Sequence, residues 1–452
     1  MDFPEAVTPA AASPEAVTHE DLDRARDRLA FDQARHDGRS LGARLLWLLL
    51  GPGILAFLGE NDAPSMLSYA ATGAQFGIGF FLPFVAFTFL LGFIVQEMAA
   101  RIGAATGQGH AALIFARFGR FWGGFAMLDL MAGNFLTLVT EFIGIRAGLG
   151  FFGVPPWAAV AGSILVIGFA ISTSRYRRWE RITMALALGN ALFVPAALLA
   201  HPDLPAIGHA FATWAPLPGG FRPGTITLMI ADIGATVTPW MLFFQQGAVV
   251  DKGLTPRELS GARADTMIGA ILAAAFGIAA IIATAPLFAH GISTANFQAA
   301  QFAEALKPYI GHLGASLFAI GIFEAGLVAA ITISTSSAYA FGEVTGSTHG
   351  LNSSITDGWR FYLVLLGGAC AAGGLTLIPG APLEEIVILV NVVATLAMPP
   401  ALLFLIVLAN DPEVMGEYRN GFWWNAAAIG VTAFMIASGL AYAVTVLFPH
   451  AF

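Results

Sequence analysis

The sequence predicts an all-α polytopic membrane protein with eleven transmembrane helices, ten of them forming two inverted five-helix repeats. Three observations carry this expectation. Of the 452 residues 57% are hydrophobic and only 11% charged, with a mean hydropathy of +0.74, whereas a soluble domain carries about 25% charged residues. The apolar residues fall into runs of about 18 or more, the length that crosses a bilayer. Two of those runs, the first and the sixth, are interrupted by polar residues and a proline.

Residues 1–43 form a polar tail, expected on the cytoplasmic side. It lacks the apolar core of a signal peptide, and "HEDLDRARDRLAFDQARHDGR" reads equally as a surface helix or a mobile arm. The expected spans are 45–70, 78–100, 122–150, 156–173, 182–200, 225–249, 264–290, 312–341, 360–379, 383–409 and 422–448. Only "PGAPLE" separates the ninth from the tenth, so ten spans is the competing count. With the N-terminus inside, eighteen of the 21 Lys and Arg residues fall in cytoplasmic segments, leaving Arg146, Arg222 and Lys307. The positive-inside rule asks for such an imbalance, and it puts the C-terminus outside a plasma (inner) membrane. The repeats are then 44–200 and 201–410, with 411–452 holding the eleventh span.

The interruptions are "GENDAPS" (59–65) and "GATVTP" (234–239). An odd number of spans per repeat inverts orientation, so breaks in spans one and six occupy equivalent places in inverted halves, as in secondary transporters. Pro64 and Pro239 lack the donor that a continuous helix needs, and unwound backbone at membrane depth survives only where protein, water or an ion satisfies it. Asp62 adds a negative charge, which suits a cation. The plainer alternative is a proline kink with a snorkelling acid.

These residues resemble the Nramp family of divalent-metal transporters. "GPGILAF" with "ENDAPSMLSYAATGAQFG" is similar to the family's first span, whose signature is "DPGN". "AARIG", "TEFIGIRAGLGFFGVP" and "GATVTPWMLFFQ" match its second, third and sixth spans, the last against "GATVMPHNLYLH". The resemblance covers residues 44–410 and implies a LeuT-type fold with broken helices 1 and 6. It implies a metal site of Asp62, Ser65, Ala235, Thr238 and Asn391. Glu60, Asn61, Asp232 and Gln245 fall beside that site or in its vestibules, although Glu60 reads equally as an acid sitting protonated against the helix break.

The departures from the family pattern bear on the cargo. Thr238 stands where the family has a metal-binding methionine. Leu138 replaces a third-span Asp linked to proton movement, and Trp240 and Gln245 replace the sixth-span histidines. A hydroxyl in place of a thioether exchanges a soft ligand for a hard one, which suits magnesium, and magnesium gives up its waters reluctantly. The sequence is therefore most similar to the Nramp-related magnesium transporter branch. Mg2+ is the expected cargo, Mn2+ an accepted one, and passive rather than proton-coupled movement the expected mode.

Other features have plain readings. Asp232 suits a helix cap as well as an outer vestibule, and Gln245 an ordinary interhelical hydrogen bond. Glu141 matches the family and pairs internally, whereas Glu324 has no family match and reads as a buried structural acid. The two lysines, Lys252 and Lys307, precede Gly and Pro, so no phosphate-binding "GK[ST]" loop exists, and no HExxH motif is present. No enzyme activity, cofactor, nucleotide or nucleic-acid partner is expected; the partners are a divalent ion and the lipid bilayer, with a monomer favoured. A single cysteine, Cys370, excludes an intrachain disulfide. The alternatives are a Na+-coupled symporter of a small organic solute on the same fold, a proton-coupled Mn2+/Fe2+ transporter, and a non-transporting metal sensor.

Overall fold

Long apolar helices account for nearly all of the described chain. The computed structural model describes residues 51–217, 220, 223–294, 299–381 and 398–447. The tail 1–43 and Asn391 lie outside them.

The first expected span is two helices, α1 (Pro52–Glu60) and α2 (Ala63–Phe76), separated by Asn61 and Asp62. Next come α3 (Phe81–Thr106), α4 (His110–Gly150) and α5 (Pro156–Ile171). The fifth span joins α6 (Tyr176–Ala187) through a 3-10 turn, Leu188–Leu192, to α7 (Phe193–Leu199). A short α8 (Leu204–Thr213) precedes the second broken span, α9 (Pro223–Gly234) and α10 (Pro239–Asp251). The remainder is α11 (Leu259–Ala289), α12 (Ala299–Thr345), α13 (Trp359–Thr376), α14 (Met398–Asn410), α15 (Pro412–Met415) and α16 (Phe422–Leu447).

Among the described residues seven helices are long and apolar enough to cross a membrane, or eight if the bent pair Met398–Asn410 and Pro412–Tyr418 is one span. Their outer faces suit lipid rather than water: Phe121 and Leu165 are each 74% exposed and Trp423 80%.

Three departures from the expected boundaries have local causes. The segment 174–181, which precedes the expected fifth span, is mostly helix, because Tyr176, Trp179, Glu180 and Thr183 lie on one buried face. Helix α8 was not expected; Asp203 caps it, accepting from the Ala206 amide at 3.1 Å. Helices α4 and α12 begin earlier than the third and eighth spans, but each turns at a glycine, Gly119 (φ 87°) and Gly311 (φ 70°). Both glycines sit in the left-handed region that side chains avoid.

Small residues let the broken helices approach their neighbours. A Cβ on Gly73 of α2 would lie 2.1 Å from the Ile281 carbonyl oxygen of α11, and one on Gly269 of α11 would lie 2.7 Å from the Gly53 carbonyl of α1. On the other side of the break, a Cβ on Gly144 of α4 would meet the Ala63 side chain at 2.2 Å. The second half of the first span is thus wedged between α11 and α4, and the first half packs closely on α11.

This wedge makes a stability prediction. Gly73→Ala forces α2 off α11 and is expected to cost about 1–3 kcal/mol. Gly124→Ala is the control, since nothing lies within 4 Å of its added carbon. Thermal melting in detergent should show a lowered transition for the first and none for the second; equal melting would contradict the close contact.

Candidate metal site at the paired helix breaks

The positions of two prolines explain the geometry of the breaks. Pro64 lies in the first turn of α2 and Pro239 opens α10, where a missing N–H costs nothing. Each proline marks where a second half-helix starts. Asp62 is the N-cap of α2, its Oδ1 accepting from the Ser65 amide at 2.8 Å. Glu141 of α4 reaches the same helix end, its Oε2 accepting from the Ala63 amide at 3.1 Å. The Asp62 and Glu141 carboxyls approach one another there. Two carboxylates at one helix N-terminus are favoured by its unpaired amides and positive dipole end. Asn61 ties the break to the seventh span, Nδ2 donating to the Ala273 carbonyl at 3.0 Å.

The second break, residues 235–238, faces the first. Thr238 is the N-cap residue of α10, yet its side chain caps nothing. Its hydroxyl instead donates to Glu60 Oε2 at 2.6 Å, joining the two breaks directly. Tyr69 of α2 makes a second link, its hydroxyl donating to the Ala235 carbonyl at 3.1 Å. Asp232 makes a third: its two oxygens accept from Ser68 at 2.7 Å and Thr72 at 3.0 Å.

The end of the bundle that carries Gly51 is sealed. Every residue of α1 is buried, as are residues 239–249 of α10. Asp265 of α11 caps α1, accepting from the amides of Gly51 at 2.8 Å and Gly53 at 2.6 Å. Beside it Lys252 donates to Glu180 Oε1 at 2.8 Å in a buried ion pair. Asp251 takes the Tyr339 hydroxyl at 2.9 Å and the Leu351 amide at 2.7 Å.

The expected residues therefore divide. Asp62, Ser65, Ala235, Thr238 and Glu60 all stand at the facing breaks, with Asn61 beside them. Asp232 is fully buried and holds α2 to α9, so it neither caps a helix nor opens on a vestibule here. Gln245 makes the ordinary contact, Nε2 donating to Thr266 Oγ1 at 2.8 Å. Leu138 and Trp240 are buried, and Trp240 packs edge-on against Phe244. Glu324 is held by Asn190 across α12 and the fifth span. Sequence reasoning missed Asp265, Glu180 and Tyr69. The one legible sign was Lys252, a rare lysine ending a broken span, which called for an acid.

Among the described residues no three His, Cys, Asp or Glu side chains form a group that would hold a metal. A cation at the breaks would rest on few carboxylates together with hydroxyl and carbonyl oxygens.

Two discontinuous helices meeting in the interior of an apolar bundle define a membrane transporter of the broken-helix class. The comparisons agree. The family model described as "Natural resistance-associated macrophage protein-like" (Nramp) matches residues 53–445, and the chain belongs to this family. It is accordingly a multi-pass membrane transporter and not an enzyme. Among similar proteins, the divalent metal cation transporter MntH of Aeromonas hydrophila subsp. hydrophila is 25% identical over 86% of this chain and 95% of its own. MntH 1 of Pseudomonas aeruginosa is 27% identical over 88% and 91%. A crystal structure of a mutant of the Eremococcus coleocola manganese transporter shares the fold with a TM-score of 0.71 at 18% identity, covering 92% of this chain and 90% of that one. MhsT in complex with L-phenylalanine shares it more distantly, with a TM-score of 0.55 at 17% identity and 86% and 97% coverage.

The sealed end yields a prediction. Glu180→Ala removes the anionic partner of a buried lysine and is expected to destabilise the protein by about 3–5 kcal/mol, whereas pairing Glu180→Leu with Lys252→Met recovers much of that loss. Chemical denaturation in detergent measures both. A single substitution as stable as the wild type would show that the pair contributes little.

Proposed function

We propose that this transporter carries divalent metal cations, Mg2+ in preference and Mn2+ as an accepted ion, bound partly hydrated between the breaks of spans one and six. The observation that carries this reading is the Thr238–Glu60 hydrogen bond at 2.6 Å. It holds the Thr238 hydroxyl, a hard oxygen donor, at the point where the two broken spans face each other. Asp62, Ser65 and the Ala235 carbonyl complete an all-oxygen set, with Asn391 of the tenth span assigned to it on the family pattern alone. Hard oxygen donors favour Mg2+ over thiophilic ions, and a site with one or two carboxylates leaves room for its retained waters.

Movement is passive in this reading. Leu138, Trp240 and Gln245 occupy positions at which proton-coupled relatives would need titratable groups, and Glu141 has a structural task at the Ala63 amide. A doubly charged ion gains about 4.6 kcal/mol per 100 mV of membrane potential, twice the single-charge value. The topology in this reading has eleven spans, with tail 1–43 in the cytoplasm, repeats 44–200 and 201–410, and 411–452 carrying the last span to an outside C-terminus in the inner membrane.

The test is metal-dependent quenching of a dye trapped in proteoliposomes, run with Mg2+, Mn2+ and Ca2+. Asp62→Ala is expected to abolish the signal while the protein stays folded, losing about 1 kcal/mol with its helix cap; normal uptake by this variant would remove Asp62 from the site. Thr238→Met should move the preference toward Mn2+ over Mg2+ by restoring a soft ligand, and an unmoved ratio would refute the hard-donor argument. An internal pH dye should report no Mg2+-dependent acidification; a reproducible one would establish proton coupling.

A further inference from the structure

We infer that Glu60 faces the transported ion directly and supplies the second of two carboxylates that match a divalent charge. The inference rests on the reading of the paired breaks as the cargo site, and it moves Glu60 from the rim of that site to its centre.

Glu60 ends α1 and is fully buried. One of its oxygens, Oε2, is engaged by Thr238. The other, Oε1, is buried without a hydrogen-bond partner, and so are Asn61 Oδ1 and Glu141 Oε1 around the same break. Buried acceptors are nearly always satisfied in folded proteins. Three orphaned oxygens, two of them on carboxyl groups, leave room at the break for a cation. The Trp240 indole N–H approaches Glu60 but falls short of hydrogen-bond geometry and is itself unpartnered.

The charge balance points the same way. Glu60 and Asp62 are two residues apart and repel. Among the described residues their hydrogen-bond partners are a hydroxyl and an amide, with no Lys or Arg among them. With Glu141, the third carboxyl at the break, engaged at the Ala63 amide, a dication between Glu60 and Asp62 cancels the charges of those two, whereas a monovalent ion leaves one buried and uncompensated.

Glu60 also changes what Thr238 offers. The hydroxyl donates its hydrogen bond to the carboxylate, so its lone pairs are left for another partner. A charge-assisted bond of this kind polarises the hydroxyl oxygen and makes it a better donor to a cation. Two carboxylates and one polarised hydroxyl, with waters filling the remaining positions, is the ligand count that a partly hydrated magnesium ion takes.

The experiment measures Mg2+ half-saturation in dye-loaded proteoliposomes for the wild type, Glu60→Gln, Thr238→Ala, the double variant and Asp62→Asn, each with and without added Na+. Mg2+-induced thermal stabilisation in detergent serves as a second readout of binding. Direct contact predicts that Glu60→Gln weakens Mg2+ by about tenfold or more, the loss expected for one carboxylate near a dication. It predicts a comparable further loss in the Thr238→Ala background, and inhibition by Na+ at concentrations the wild type ignores. If Glu60→Gln adds nothing once Thr238 is gone, Glu60 only positions that hydroxyl and the proposal falls. An unchanged Glu60→Gln beside an inactive Asp62→Asn overturns the proposal and leaves the cargo site standing. Normal transport and stabilisation in Asp62→Asn overturns the cargo site and the proposal with it. Should Glu60→Gln not assemble, Glu60→Asp replaces it: weakened Mg2+ binding with Na+ still ignored supports direct contact, and an unmoved half-saturation refutes it.

Discussion

In hydrocarbon, a backbone polar group that its own helix does not satisfy must find a partner within the protein. Two helices of this bundle stop and restart inside it, and much of the surrounding structure answers that requirement. At the first break the free amides of α2 take Asp62 and Glu141. At the second, the Ala235 carbonyl takes Tyr69. The breaks are thereby enclosed rather than frayed, and the groups that enclose them are carboxylates, hydroxyls and carbonyls. The proposed site for a cation uses the same oxygens that make the breaks tolerable.

Enclosure also needs close approach. Helices α1 and α2 pass α11 with Gly53, Gly73 and Gly269 at the contacts, and α4 offers Gly144 to Ala63. Side chains there would open gaps and admit lipid or water to the unwound turns. The same packing leaves the Gly51 end sealed by Asp265 and by the Glu180–Lys252 pair. A carrier that exposes its site alternately to two sides must at some stage dismantle one such seal. Among the described residues the contacts there include the Asp265 cap of α1, the Glu180–Lys252 pair and the Asp251 bonds to Tyr339 and Leu351.

The two helix breaks were legible because Pro64, Pro239 and Asp62 violate the rules of an apolar span, and violations of local pattern mark functional places. The spans were legible from hydropathy, and the early start of α6 was not, because its buried face is interleaved with Arg177, Arg178 and Arg181. What the sequence hid were pairings between distant residues. Glu60 and Thr238 are 178 positions apart, and Gly51 and Asp265 are 214 apart. Asp232 shows the limit from the other side: its place near the break suggested a cap or a vestibule, and only the approach of α2 through Ser68 and Thr72 explains its burial.

The central claim is that the two breaks jointly hold the ion, and it is tested most directly by locating the ion. Crystals of the protein soaked in Mn2+, with data collected near the manganese absorption edge, would place the metal by its anomalous scattering. A single strong peak between the Asp62 carboxylate and the Thr238 hydroxyl is the predicted result. A peak elsewhere in the bundle, with none between the breaks, would contradict the account.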